Sequence, residues 1–174
     1  MTEQVQVASD AALETHAGLY LTFALSEEMY GLQILAVQEI IQLVPITQVP
    51  KTPDFVRGVI NLRGKVIPVI DLRCRFGMEP VDDSAQTCIV VVEIGANGQA
   101  LTMGVVVDQV AEVLDVTGDQ VEAPPVFGST VSTDFILGMG KVGDKVIMLL
   151  DVQQVLAGGE LVMVAQIASD VSPE

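Results

Sequence analysis

One stretch of this sequence occurs twice. FVRGVINLRGKVIPVIDL, starting at Phe55, aligns without a gap on FILGMGKVGDKVIMLLDV, starting at Phe135, at a constant offset of 80. Phe55 matches Phe135, Gly58 matches Gly138, Lys65-Val66-Ile67 matches Lys145-Val146-Ile147, and Asp71 matches Asp151. A second pair aligns at an offset of 73, YGLQILAVQEII from Tyr30 with MGVVVDQVAEVL from Met103. There Gly31 matches Gly104, Val37 matches Val110 and Glu39 matches Glu112. Two matches in the same order indicate a duplicated unit. Each copy reads as a strand, a strand ending near Val-x-Glu, an irregular connection, and a hairpin turned at glycine. Five short strands of this kind can close into a small barrel, which removes exposed sheet edges.

The rest of the pattern agrees with a mainly β chain. Strands are predicted at Tyr20–Leu25, Met29–Ile34, Glu39–Val44, Val56–Leu62, Lys65–Asp71, Thr87–Ile94, Leu101–Val107, Glu112–Val116, Ile136–Val142 and Lys145–Leu150, separated by turn-forming residues. Ile34–Val44 carries apolar residues at helical spacing. It is also rich in Ile and Val and is followed by Pro45, so a brief turn near Leu35–Val37 and then a strand is predicted. Leu72–Phe76 reads as one helical turn, and Val152–Leu156 and Glu160–Ala168 as closing helical pieces. Residues 1–17 are polar and aperiodic and read as a flexible tail. The expected architecture is two small five-stranded β-barrels packed together over residues 18–158, with a C-terminal helix and tail over 159–174.

Composition narrows the function. Half of the residues are hydrophobic, so a core can form. The longest apolar runs, such as Val66–Ile70, are strand-sized and too short to span a bilayer as a helix. The N-terminus has no basic start and no apolar stretch, which does not fit a signal peptide. Cys74 and Cys88 form no CxxC, which fits a reducing, cytoplasmic setting. The net charge of −15 opposes nucleic acid and anionic membranes as partners. Six of the eight basic residues nevertheless lie between Lys51 and Arg75: Lys51, Arg57, Arg63, Lys65, Arg73 and Arg75. This island is either a solvated barrel face or a patch for an acidic partner.

Little in the sequence points to catalysis. The single histidine, His16, lies in the predicted tail, which disfavours Ser-His-Asp and Cys-His centres and histidine-rich metal sites. Neither GxGxxG at a helix start nor GxxxxGK[ST] occurs. Asp82-Asp83 reads as a solvated loop pair, and Asp71 and Asp151 as caps on following helical turns. No cofactor, metal or enzymatic activity is expected. Two features are left over from folding: Glu39 flanked by Val37, Ile40 and Ile41, and Arg63-Gly64 at a hairpin turn beside Arg57 and Lys65. A Glu and an Arg near an apolar surface can pair and fix its shape for a partner.

YGLQILAVQEI followed by TPDFVRGVINLRGKVIPVIDLRCRFG, with IVVVEI, MGVVVDQVAEVL, STDFILGMG and DKVIMLLDV later, resembles the CheW-like domain family over about residues 19–157. The resemblance implies two SH3-like five-stranded barrels, intertwined over residues 18–158 and packed on a shared apolar seam, and a non-catalytic chemotaxis adaptor. Its implied partners are the cytoplasmic tip of methyl-accepting chemoreceptors and the regulatory domain of the chemotaxis histidine kinase, and it implies a part in receptor-array assembly. By motif position, Val37, Glu39, Ile40, Arg63 and Gly64 are the implied receptor-facing residues. An adaptor for another chemosensory pathway, such as surface or pilus motility, is the alternative. Cys74, in LRCRF, stands at a position expected to vary.

Overall fold

A computed structural model describes residues 17–79, 81–96, 99–123 and 135–156. The predicted tail, apart from Ala17, and the predicted helix at Glu160–Ala168 lie outside them. The described chain is mainly β. Eleven strands run β1 (Gly18–Leu25), β2 (Glu28–Gln33), β3 (Val37–Gln42), β4 (Val56–Leu62), β5 (Lys65–Asp71), β6 (Cys88–Ala96), β7 (Gln99–Val107), β8 (Gln109–Val116), β9 (Val121–Glu122), β10 (Ile136–Val142) and β11 (Lys145–Leu150). Two single-turn α-helices, α1 (Leu72–Arg75) and α2 (Val152–Val155), follow the two repeated hairpins, and short 3-10 turns occupy Ile34–Ala36 and Gly118–Gln120.

The strands form two sheets, one of six in the order β8-β1-β2-β11-β10-β9 and one of five in the order β3-β6-β7-β5-β4. The chain divides into two compact units. Unit 1 comprises residues up to Ile34 together with Ala111–Asp151; unit 2 comprises Leu35–Val110 and residues from Val152 onward. Each sheet therefore recombines the sequence repeats. The β10–β11 hairpin is joined by β1–β2 from the first copy, and the β4–β5 hairpin by β6–β7 from the second. The duplication persists at the level of single contacts. Val69 pairs in parallel with Gly104 in unit 2, and their repeat mates Leu149 and Gly31 pair in parallel in unit 1.

In unit 2 the sheet is closed by a backbone bridge. Beyond β3, Thr47 exchanges hydrogen bonds with Val59 of β4, Thr47 N–H to Val59 C=O at 2.9 Å and Val59 N–H to Thr47 C=O at 2.8 Å. Only glycine fits beside this bridge. Gly58 has φ +140, and a Cβ there would lie 2.0 Å from the Thr47 carbonyl oxygen. Its repeat mate Gly138 lies under the β9 strand, where a Cβ would come within 2.8 Å of the Glu122 oxygen. β9 is the sixth strand that the sequence pattern did not reveal, because two residues carry no alternation.

One core cluster of unit 2 is Ile60, Ile67, Val69, Ile89, Val91 and Val106, with Ile41, Leu43, Ile46 and Leu62 packed against it. One core cluster of unit 1 is Tyr20, Val116, Val121, Ile147 and Leu149. Within unit 1, the fully buried Thr22 hydroxyl donates to Glu112 C=O at 2.6 Å and accepts from Glu112 N–H at 3.1 Å, so its desolvation is matched. Asp71 caps α1 as expected, accepting from the N–H groups of Arg73 and Cys74.

Candidate functional site

The basic island does not form a free cationic face, because its arginines are engaged within unit 2. Arg57 makes a bidentate pair with Asp83 at 2.9 and 3.1 Å, which gives that loop carboxylate a partner and raises the guanidinium pKa further. Arg73 is largely buried and grips Asp108 through three hydrogen bonds of 2.5–3.0 Å, with a fourth to the Glu79 carbonyl. Arg75 donates to Val155 C=O and lies over the Phe55 ring, 4.9 Å from its centroid. Lys65 reaches the Thr102 hydroxyl at 3.3 Å.

Arg63 forms the most exposed of these arginine ion pairs. It occupies the tip of the β4–β5 hairpin with φ +53, followed by Gly64 at φ +85. Two consecutive positive φ angles make a type I′ turn, whose twist matches the strands it joins. The Asn61 side chain braces it by accepting from Gly64 N–H at 2.8 Å. From there the guanidinium makes a bidentate pair with Glu39 of β3. The side chains are 69% and 29% exposed, so the pair is presented to solvent and adds little to stability. Since β3 and β4 are the two ends of the five-strand order, the pair spans the seam closed by the Thr47–Val59 bridge.

Strand register separates the expected residues onto two faces. Val37 pairs with Val92 and Ile40 with Val90, whereas Glu39 pairs with Val91 and Ile41 with Ile89. Directly opposed residues of an antiparallel pair share a face, so Val37 and Ile40 lie together on one side. Glu39 lies on the other side with Ile41, above the core residues Ile89 and Val91. The turn and register thus bring Glu39 and Arg63 into contact, with Gly64 alongside, while Val37 and the 44%-exposed Ile40 line the opposite side of the same strand. Sequence reasoning missed Leu35, which is almost fully exposed in the 3-10 turn before β3. It also missed the contact of Gln38 with Glu93, for which no spacing gives a signal.

The chemistry of unit 2 is poor in reactive groups. Two open clefts of about 450 and 480 Å³ lie along the connector between β3 and β4 and the start of β4, and share Gln48 and Arg57. Their ionisable groups are Asp54 and the mutually paired Arg57 and Asp83. Burial raises the pKa of both Cys74 and Cys88, which keeps the thiols protonated and weakly nucleophilic at neutral pH. Among the described residues no cluster of His, Cys, Asp and Glu could hold a metal ion, and no helix is long and apolar enough to cross a membrane.

The exposed Glu39–Arg63 pair thus sits on the strand that also carries the exposed Ile40. The model of the CheW-like domain matches residues 19–160. The chain belongs to the CheW-like domain family. The CheW-like chain is 37% identical over 160 residues to the chemotaxis protein CheW of Klebsiella aerogenes, covering 92% of this chain and 94% of that one. It is 31% identical over 140 residues to the probable chemotaxis protein CheW of Rhizobium etli, covering 80% and 88%. Among solved structures, the crystal structure of the scaffolding protein TtCheW from Thermoanaerobacter tengcongensis matches with a TM-score of 0.73 at 40% identity, over 83% of this CheW-like chain and 95% of that one.

Proposed function

We propose that this CheW-like chain is a non-catalytic chemotaxis adaptor, acting in the cytoplasm, that couples transmembrane chemoreceptors to the chemotaxis histidine kinase and supports receptor-array assembly. The adaptor function resides in residues 18–158. Its receptor side is formed by Val37, Glu39, Ile40, Arg63 and Gly64. The observation that carries this reading is the bidentate Glu39–Arg63 pair, held in the open at a hairpin tip beside the exposed strand β3. A pair that adds little to stability is well suited to setting the shape and charge of a recognition surface. A receptor tip built as a helical hairpin fits such a surface as an amphipathic helix fits a groove, through a few apolar anchors and a charged rim.

The test is co-sedimentation of the protein with a receptor-tip fragment and with the kinase, alongside kinase autophosphorylation. The protein is expected to bind both and to raise receptor-dependent phosphorylation. Glu39→Ala is expected to fold normally and to lose receptor coupling. Binding to neither partner would remove the flagellar chemotaxis role and point to another chemosensory pathway. A large fall in melting temperature for Glu39→Ala would make the pair structural.

A further inference from the structure

The face that β3 offers depends on one extra residue. Val37 pairs with Val92 and Glu39 with the adjacent Val91, so Gln38 is inserted as a β-bulge. In an unbroken strand side chains alternate, and Val37 would share its face with Glu39 while Ile40 pointed the other way. The bulge reverses this. It puts Val37 beside Ile40 and turns Glu39 toward the core face, where Arg63 meets it. A strand without the bulge cannot present the apolar pair on one side and the ion pair on the other.

The inserted residue is held by a specific contact. The Gln38 side-chain amide donates to the Glu93 carboxylate of β6 at 2.5 Å. Glu93 follows Val92, the residue opposite Val37, so the bond fastens the bulge where regular pairing stops. Both side chains are exposed, and neither belongs to a core. The sequence repeat supplies a contrast, since the residue matching Gln38 in β8 is Ala111, which has no side-chain donor.

We propose that Glu93 is a positioning residue for the receptor-facing surface, acting through Gln38 to fix the bulge that sorts Val37 and Ile40 from Glu39. This rests on the reading of β3 as partner-facing, and the test separates the two. Affinity for a receptor-tip fragment is measured for the wild type, Ile40→Ala, Glu93→Ala, Gln38→Ala and Glu93→Gln, with melting temperatures and amide exchange of residues 37–40 by NMR. Ile40→Ala reports on β3 itself. Glu93→Ala and Gln38→Ala are expected to weaken binding roughly fivefold and to speed exchange at residues 37–40, with little change in melting temperature. Glu93→Gln, which keeps an acceptor oxygen, is expected to stay within about twofold of wild type. Full affinity in Glu93→Ala beside a weakened Ile40→Ala overturns the positioning role alone. Equal losses in Glu93→Ala and Glu93→Gln overturn it too, because charge and not the hydrogen bond would then be responsible. Full affinity in Ile40→Ala removes β3 from the interface, and the positioning role falls with it.

Discussion

Replacing Arg63 by glycine separates the role of its side chain from the cost of its backbone. The left-handed region costs an ordinary L-residue roughly 1–2 kcal/mol, and Arg63 sits there at φ +53. The matching turn in unit 1 avoids this cost by placing Gly143 at φ +62. Arg63→Gly relieves the strain but adds about 0.4–1 kcal/mol of chain entropy to the unfolded state. It also removes an exposed ion pair worth about 0–1 kcal/mol. The sum places stability between about 1 kcal/mol below and about 1.6 kcal/mol above wild type. Arg63→Ala removes the same pair and keeps the strain, so Arg63→Gly is expected to be the more stable of the two by about 1 kcal/mol. Urea unfolding of the three proteins, compared at equal m-values, measures this order. Co-sedimentation with the receptor tip is expected to show both variants binding roughly tenfold or more weakly than wild type. An Arg63→Gly protein less stable than Arg63→Ala would refute the strain assignment. Wild-type binding by either variant would refute the role given to the guanidinium.

Three further substitutions test what holds unit 2 together. Asp108→Ala removes the carboxylate that pairs with the largely buried Arg73 and is expected to lower stability by about 3 kcal/mol, read by thermal or urea unfolding; a loss below about 1 kcal/mol would mean that solvent reaches Arg73 freely. Gly58→Ala drives a methyl group into the Thr47 carbonyl and is expected to cost about 3 kcal/mol or more. Gly64→Ala, with nothing within 4 Å of the added carbon, meets only the strain of its φ and is expected to cost less.

The parts of the fold read most sharply from sequence were those written twice, although β1 and β6, outside the repeats, were also anticipated to within two residues at each end. β4, β5, β10 and β11 have the predicted boundaries, since glycine turns and the shared Lys-Val-Ile fix where each hairpin bends. The turn at Ile34–Ala36 and the strand after it were legible because β-branched residues and Pro45 outweighed the helical spacing. That same spacing hid the bulge, since apolar residues at 37, 40 and 41 read as a helix face or as a plain strand. The five predicted site residues contained a real contact, Glu39 with Arg63, but not their division between two faces, which only register reveals. The basic island misled in another way. Arg73 counts as surface charge until Asp108, 35 residues on, is brought beside it.

The recombined sheets also bear on how the chain is made. β2 pairs in parallel with β11, and the partners Met29 and Ile147 are about 118 residues apart. At roughly 5–20 residues per second, a ribosome delivers the second strand about 6–24 s after the first. Over that interval the β1–β2 hairpin has been synthesised, but the strand that covers its β2 edge has not. An uncovered strand edge is an aggregation hazard, so the wait for β11 is the point in biosynthesis at which chaperone protection matters most.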